Sequence, residues 1–294
     1  MTALLASPAL RSRPYLLLAV PGIIFFVLAL IGSSWTGGLK SVSQYAGNIV
    51  SSAGGHNAPA TSPSQGHPMG VIIETSVTPN LIPLMLHFLT VLGPSWTIVL
   101  FTLESTWRMP ASPALRRAIE HKQIEIRFLP ADTVLNNSGA VSNFLTGPWL
   151  WAQLLSAPRV LLFQTDSVIC SNSDITVESF FDYDFLGAPI ASAYGQGYNG
   201  GLSLRNPKLF LEITQTSDFK TSGDSFEDQW FYKEVKKRGG ALPVEDVAKT
   251  FSVETIYYER PLGYHQPQRW QKDHMSQIEN WCPEVKMLIG RRAQ

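Results

Sequence analysis

Arg159-Val-Leu-Leu-Phe-Gln-Thr-Asp-Ser-Val-Ile-Cys170 is the stretch from which the rest of the chain is read. Val160 to Phe163 is a short, β-prone apolar run without polar alternation, the pattern of a central strand buried on both faces. The run ends in a turn with one carboxylate, Asp166. In open α/β sheets, ligands bind outside the carboxyl ends of such strands, so Asp166 stands where a ligand would be met. The plainer alternative is that Asp166 only closes the turn, a common place for Asp.

Further along, Tyr198-Asn-Gly-Gly-Leu-Ser-Leu-Arg205 puts two glycines ahead of a second apolar run. Glycine permits positive φ and lets the backbone approach a neighbour with no Cβ in the way, and the Asn199 amide both donates and accepts. Asn-Gly is equally a plain hairpin-turn signal. Arg205 ends the run as a fixed cation, able to meet a phosphate or pair with an acid.

Around these two stretches the chain alternates. Val71 to Thr75 reads as a strand, Leu81 to Leu92 as a helix, Trp96 to Thr102 as a strand, Ser112 to His121 as a helix and Ile124 to Leu129 as a strand. Asn143 to Leu155 reads as a helix leading into the Asp166 strand. Such alternation implies crossover connections and a largely parallel sheet. Strands near Phe185, Leu202 and Phe251 add an antiparallel part. Gly223 to Gly239 reads as a helix with Asp224 as N-cap, Glu227 closing a capping box, and a basic last turn. That leaves Asp228 as the freer acid, although a solvated acid in a first helical turn needs no further purpose.

Taken in order, Asn143-Phe-Leu, Trp151, Leu162-Phe-Gln-Thr-Asp-Ser, Tyr183-Asp-Phe-Leu-Gly-Ala-Pro189, Asn199-Gly-Gly-Leu-Ser-Leu-Arg205, Glu227-Asp228, Phe251-Ser-Val-Glu254 and Pro261-Leu-Gly-Tyr-His265 resemble a poorly characterised family of glycosyltransferase-like proteins. The resemblance covers about residues 70 to 270. It implies the GT-A fold of nucleotide-sugar-dependent transferases: an α/β domain with a mostly parallel central sheet flanked by helices and an antiparallel addition. It also implies roles. Asp166 would meet the donor ribose or a metal, Asn199, Gly200 and Gly201 the donor sugar, Glu74 and Thr75 the base or ribose, and Arg205 a phosphate. Asp228 would take the proton of the acceptor hydroxyl, and His265 would meet the diphosphate or a metal. One departure bears on the cofactor. Most metal-dependent GT-A enzymes carry Asp-x-Asp where this chain has Asp166-Ser167-Val168, so only one carboxylate is offered locally to a Mn or Mg ion, which prefers hard oxygen ligands. The requirement for a divalent cation therefore stays open.

The amino terminus sets an expected location. Pro14 to Gly38 carries no charge, and Tyr15 to Gly32 is almost wholly apolar, long enough to cross a membrane as a helix. Arg11 and Arg13 precede it, which places residues 1–13 in the cytosol, 14–35 in the membrane as a signal anchor, and the bulk of the chain in the lumen. A cleaved signal peptide is the other reading. Residues 36–68, rich in Gly, Ser, Ala, Pro and Thr, read as a flexible stem, and 69–294 as the luminal domain. This is the usual layout of a type II transferase of the Golgi or endoplasmic reticulum, with a nucleotide-sugar donor and a glycan or glycoconjugate acceptor as partners. Asn136-Asn-Ser138 is a glycosylation sequon usable there. Cys170 and Cys282 either form one bridge or stay free.

The chain of 294 residues balances 23 Lys and Arg against 23 Asp and Glu, and no basic patch calls for nucleic acid. No Gly-x-Gly-x-x-Gly follows the first strand and no Gly-x-Ser-x-Gly appears, which argues against a nicotinamide oxidoreductase and a typical hydrolase. Beside the transferase stands a second expectation, motivated by the single carboxylate: a catalytically silent glycan-binding or scaffold protein on the same fold.

Overall fold

The computed structural model describes residues 66–288. Along the chain run β1 Met69–Ile73, α1 Leu81–Leu92, β2 Thr97–Thr102, α2 Pro113–Glu120, β3 Ile124–Phe128, α3 Ser138–Leu145, α4 Pro148–Ala152, β4 Val160–Phe163 and β5 Ser167–Ile169. There follow β6 Phe185–Pro189, β7 Tyr198–Arg205, α5 Pro207–Thr216, α6 Glu227–Lys237, α7 Glu245–Phe251, β8 Ser252–Val253, β9 Gly263–His265, α8 Pro267–Trp270 and α9 Met275–Trp281. The expected tail, anchor and most of the stem, residues 1–65, lie outside the described residues. Among those described, no helix is long and apolar enough to cross a membrane.

Six strands make one sheet in the order β3-β2-β1-β4-β7-β6, and three make a small second sheet in the order β5-β9-β8. β3, β2, β1 and β4 run parallel, while β7 pairs antiparallel with both β4 and β6. This is the expected mostly parallel sheet with an antiparallel addition. The chain moves outward from β1 to β2 to β3, then returns to place β4 on the other side of β1. The carboxyl ends of β1 and β4 therefore flank the point where the strand order reverses, which is where open α/β sheets hold ligands.

The two faces of the sheet follow from the period of two. Val160, Arg205 and Phe185 are direct cross-strand partners and share one face. There Phe185, Trp151 of α4, Phe210 of α5 and Phe231 of α6 pack together, with Phe210 and Phe231 stacked at 4.2 Å. Phe163, three residues beyond Val160, points to the other face and stacks on Phe88 of α1 at 3.8 Å. β4 is buried throughout, as its unbroken apolar run required.

Several readings are corrected. The expected helix from Asn143 to Leu155 is two helices, because Gly147-Pro148 ends one and begins another: proline cannot continue the hydrogen-bond ladder but suits a first helical position. The capping box of Asp224 and Glu227 does not form. Phe226 is the N-cap of α6 and offers no side-chain bond, while Asp224 pairs with Lys233 instead. A strand does form next to Phe251, which closes α7, but that strand, β8, pairs parallel with β9 in the small sheet and is not part of the antiparallel addition. Pro68, the last residue of the expected stem, accepts a hydrogen bond from Thr97 N at the start of β2.

Candidate active site

At the carboxyl ends of β1 and β4 opens a cleft of about 990 Å³, lined on one side by Glu74, Thr75 and Asn80, and on the other by Asn199, Gly200, Gly201, Asp228, Glu254 and His265, with Asp166 between. Asn80 and Thr165 tie the two strand ends together: the Asn80 amide donates to the Thr165 carbonyl at 2.8 Å, and Thr78 donates to the Asn80 side-chain oxygen at 3.0 Å. Glu74 is held by the backbone N–H and hydroxyl of Ser76. Glu74 and Thr75, expected at the end of the first strand, lie just beyond β1 and line the cleft.

Asp166 and His265 meet because β5 pairs antiparallel with β9, placing Ser167 opposite His265. The parallel pairing of β8 with β9 then brings Glu254 to the other side of the ring. His265 Nδ1 lies 3.0 Å from Glu254 Oε1, and Nε2 lies 3.3 Å from Asp166 Oδ1. That second approach is near enough for charge attraction but off the line of a hydrogen bond, so Nε2 is buried without a hydrogen-bonding partner. Burial alone would lower the imidazole. The two carboxylates outweigh it and lift His265 to about 10, so the ring is a cation at neutral pH. Burial would likewise raise Asp166, but the imidazolium and the Gln266 amide, which donates to Asp166 Oδ2 at 2.8 Å, hold it below the usual range.

The Asn199-Gly200-Gly201 stretch is neither a hairpin turn nor a positive-φ site. It is an irregularity inside β7, where the partner of β6 jumps from Ser203 to Asn199. The glycines are required by side chains on either side. A Cβ on Gly201 would lie 2.3 Å from His265 Nε2, and one on Gly200 would lie 2.6 Å from Arg205 Nη2 and 2.9 Å from Glu227 Oε1. The Asn199 side chain accepts from Gly201 N at 2.8 Å, fixing the distorted segment.

Beneath the segment lies a buried charge cluster. Asp228 takes the Gly200 N–H on Oδ2 at 3.0 Å and the Gln229 N–H on Oδ1 at 2.7 Å. Each oxygen keeps a second lone pair for another donor. Burial first, then the charge of Glu227, raises Asp228 to about 7, against the pull of those two N–H groups and Arg205. Glu227, read from sequence as a helix cap, instead accepts from Ser142 of α3 at 3.0 Å and sits 3.8 Å from Arg205.

Of the two roles open to Arg205, the structure shows the pairing with an acid and not the approach to a phosphate. Arg205 is wholly buried, outside the cleft lining, among the rings of Trp151, Phe185, Phe210 and Phe231 at 5.2–5.8 Å. It cannot meet a substrate phosphate; it holds Ser203 and faces Glu227 from below. The reason is register: Arg205 faces the core side of β7, paired with Val160 and Phe185.

Asp166 and His265 were also the expected metal ligands. They do come together, but as an ion pair whose imidazole already serves Glu254, and among the described residues no group of three His, Cys, Asp or Glu side chains is arranged to hold a metal. A divalent cation here would draw two side chains from the protein, fewer than a closed site supplies. Asn136 stands exposed on the cleft rim, beside Asn137, whose side chain caps α3. Asn80, Gln229, Gln266, Arg269, Tyr194 and Trp270 also line the cleft, and no local sequence pattern marks them out. Glu254 ends the run Phe251-Ser-Val-Glu254, but its place beside His265 depends on a strand pairing that no local pattern announces.

An α/β fold with an acid-rich cleft at its switch point is the class the geometry defines. A family described as a protein of unknown function (DUF5672) matches residues 123–265, the segment from β3 to β9 that carries Asp166, Asn199, Asp228, Glu254 and His265. No curated protein matches the chain. Among solved structures it is similar to the apo-form glycosyltransferase GlyE of Streptococcus pneumoniae TIGR4, at 13% identity and a TM-score of 0.45, over 78% of this chain and 66% of that one. It is also similar to the mannosyltransferase PcManGT from Pyrobaculum calidifontis in complex with GDP-Man and Mn2+, at 10% identity and a TM-score of 0.39, over 62% of this chain and 56% of that one. The chain spans less than two thirds of either protein's length. Both likenesses are partial overlaps of fold.

Proposed function

We propose that the protein is a glycosyltransferase that moves a sugar from a nucleotide-sugar donor to an acceptor hydroxyl. One observation carries the reading. Asp166, at the carboxyl end of β4, and Asp228, at the start of α6, line one cleft at the sheet's switch point, with the glycine segment of β7 between them. The sequence resemblance to the glycosyltransferase-like family falls on these same residues.

The chemistry follows from the groups in place. Donor base and ribose would lie against Glu74, Thr75 and Asn80 at the end of β1. Asp166, pinned by Gln266, would receive ribose hydroxyls. The His265 imidazolium, which lines the cleft beside Asp166, would face the diphosphate. The acceptor oxygen attacks the anomeric carbon while the bond from that carbon to the diphosphate oxygen breaks, the electron pair leaving with the nucleoside diphosphate. Asp228 takes the acceptor proton. A general base with a value near the working pH is suited to that step, because it is ionised and still basic enough to take the proton. A single displacement of this kind inverts the anomeric centre. A Mn or Mg ion, if used, would add positive charge at the diphosphate; Asp166 would hold it, and His265 could join only after giving up its proton.

The Cys170–Cys282 bond favours an oxidising compartment, in keeping with a luminal domain on a type II anchor at residues 14–35. The test is a transfer assay with UDP- and GDP-sugars that detects the released nucleoside diphosphate. Release that depends on acceptor and falls at least about a hundred-fold in Asp228→Asn supports the reading. Donor binding with no release on any acceptor moves it to the silent glycan-binding scaffold.

A further inference from the structure

One wall of the cleft takes no part in the transfer chemistry above. Tyr194, Phe226 and Trp270 line the cleft together with Asp228, and Tyr194 and Phe226 are 59% and 46% exposed. Aromatic rings exposed together in a concavity mark a surface that something covers. Tyr194 and Trp270 are fixed in place. Their rings pack edge to face at 5.0 Å. Tyr194 sits in the loop between β6 and β7, where Gly195 and Gly197 adopt positive φ and the loop presses on Gln229: a Cβ on Gly195 would lie 2.2 Å from its side-chain oxygen. That oxygen accepts from Gln196 N, and the Gln229 amide donates to the Tyr194 carbonyl, each at 3.4 Å. The loop carrying Tyr194 is therefore clasped to the residue next to Asp228. On the far side, Arg269 lies over the Trp270 ring at 4.6 Å and donates to Gln266, the partner of Asp166.

The charge around this wall narrows its occupant. Among the described residues that line the cleft, Arg269 and the His265 imidazolium are set against Glu74, Asp166, Glu227, Asp228 and Glu254, and His265 is already taken up by Glu254 and Asp166. An acidic peptide or an anionic headgroup would be repelled at the Asp228 end. A lipid chain would meet amides and carboxylates where it needs continuous apolar surface. A neutral sugar fits both demands, since a pyranose carries an apolar C–H face for an aromatic ring and a rim of hydroxyls for amides and acids.

We propose that Tyr194, Phe226 and Trp270 form the acceptor subsite and that the acceptor is a saccharide, one ring face against Tyr194 and its hydroxyls toward Gln229 and Asp228. This rests on the transferase reading and adds the acceptor's class to it.

The experiment is saturation-transfer NMR on the full-length chain with the methyl glycosides of galactose, mannose, glucose and N-acetylglucosamine, alongside a Ser/Thr-rich peptide and phosphatidylcholine vesicles. UDP and GDP are titrated into the same samples, so that nucleotide binding reports on the transferase reading and glycoside binding on the subsite. At least one glycoside is expected to bind, about ten-fold more weakly in Tyr194→Ala, a loss of about 1.4 kcal/mol, and with affinity retained in Tyr194→Phe. Equal glycoside binding in wild type and Tyr194→Ala overturns the proposal. So does nucleotide binding accompanied by the peptide or vesicles in place of every glycoside. Failure of nucleotides and glycosides alike, in a chain with a cooperative melt, removes the transferase reading and the subsite with it.

Discussion

Asp228 and His265 carry opposite charges within one cleft, and each is set by what surrounds it. Burial and the neighbouring Glu227 raise Asp228 to about 7. If it is the base, only its ionised form works, so the transfer rate rises with pH up to about 7 and is flat above. A pH–rate profile under saturating donor checks this; an acid limb centred near 4 would mean that another group is the base. His265, itself buried, is sandwiched between the buried Glu254 and the partly buried Asp166. His265→Ala removes the cation and leaves both acids uncompensated, so it is expected to cost about 3–5 kcal/mol in denaturant unfolding. The sequence made Asp166, Asp228 and His265 visible, because each sits in a short run whose neighbours are distinctive. It hid Glu254's partnership with His265 and the burial of Arg205. Both are consequences of strand pairing, and pairing joins residues by register rather than by proximity in the chain.

Among the elements, the irregular start of β7 does the most to shape the site. Gly200 and Gly201 bring the backbone against Arg205, Glu227 and His265, with no room for a Cβ. Gly201→Ala is expected to destabilise the fold by about 1–3 kcal/mol through overpacking and to push the His265 ring from its place between the acids. Chemical-shift changes at His265 together with a lowered melting temperature would show it; a substitution silent in both would mean the ring moves freely. Elements with strong local patterns were legible. α1 matches its expected bounds of Leu81–Leu92, and β4 its apolar run. What could not be read was the behaviour of Asn-Gly-Gly. The same dipeptide signals a turn in isolation, and only the antiparallel partner β6 makes it a distortion within a strand.

At the scale of the molecule, the disulfide binds the segment after α9 to the end of β5, joining positions 112 residues apart. β5 and β9 carry the approach to Asp166 and His265, so the bridge braces the small sheet beside the cleft. Paired Cys170→Ser and Cys282→Ser substitutions are expected to lower stability by about 2–5 kcal/mol, read as a lower denaturant midpoint than that of the oxidised wild type. Whether the two cysteines met was beyond the sequence, since a loop this long places no local limit on its ends. The alternation of strands and helices did announce the parallel sheet, and with it the switch point at which the site lies.

The measurement that bears most directly on the account is calorimetric titration of the protein with UDP, GDP and their sugars, with and without manganese, in wild type and Asp166→Asn. The account predicts that one nucleotide binds the wild type and that Asp166→Asn weakens it at least about ten-fold, the loss of one hydrogen bond to a charged group. A folded wild type that binds none of them, or binds one equally well without the Asp166 carboxylate, would contradict it.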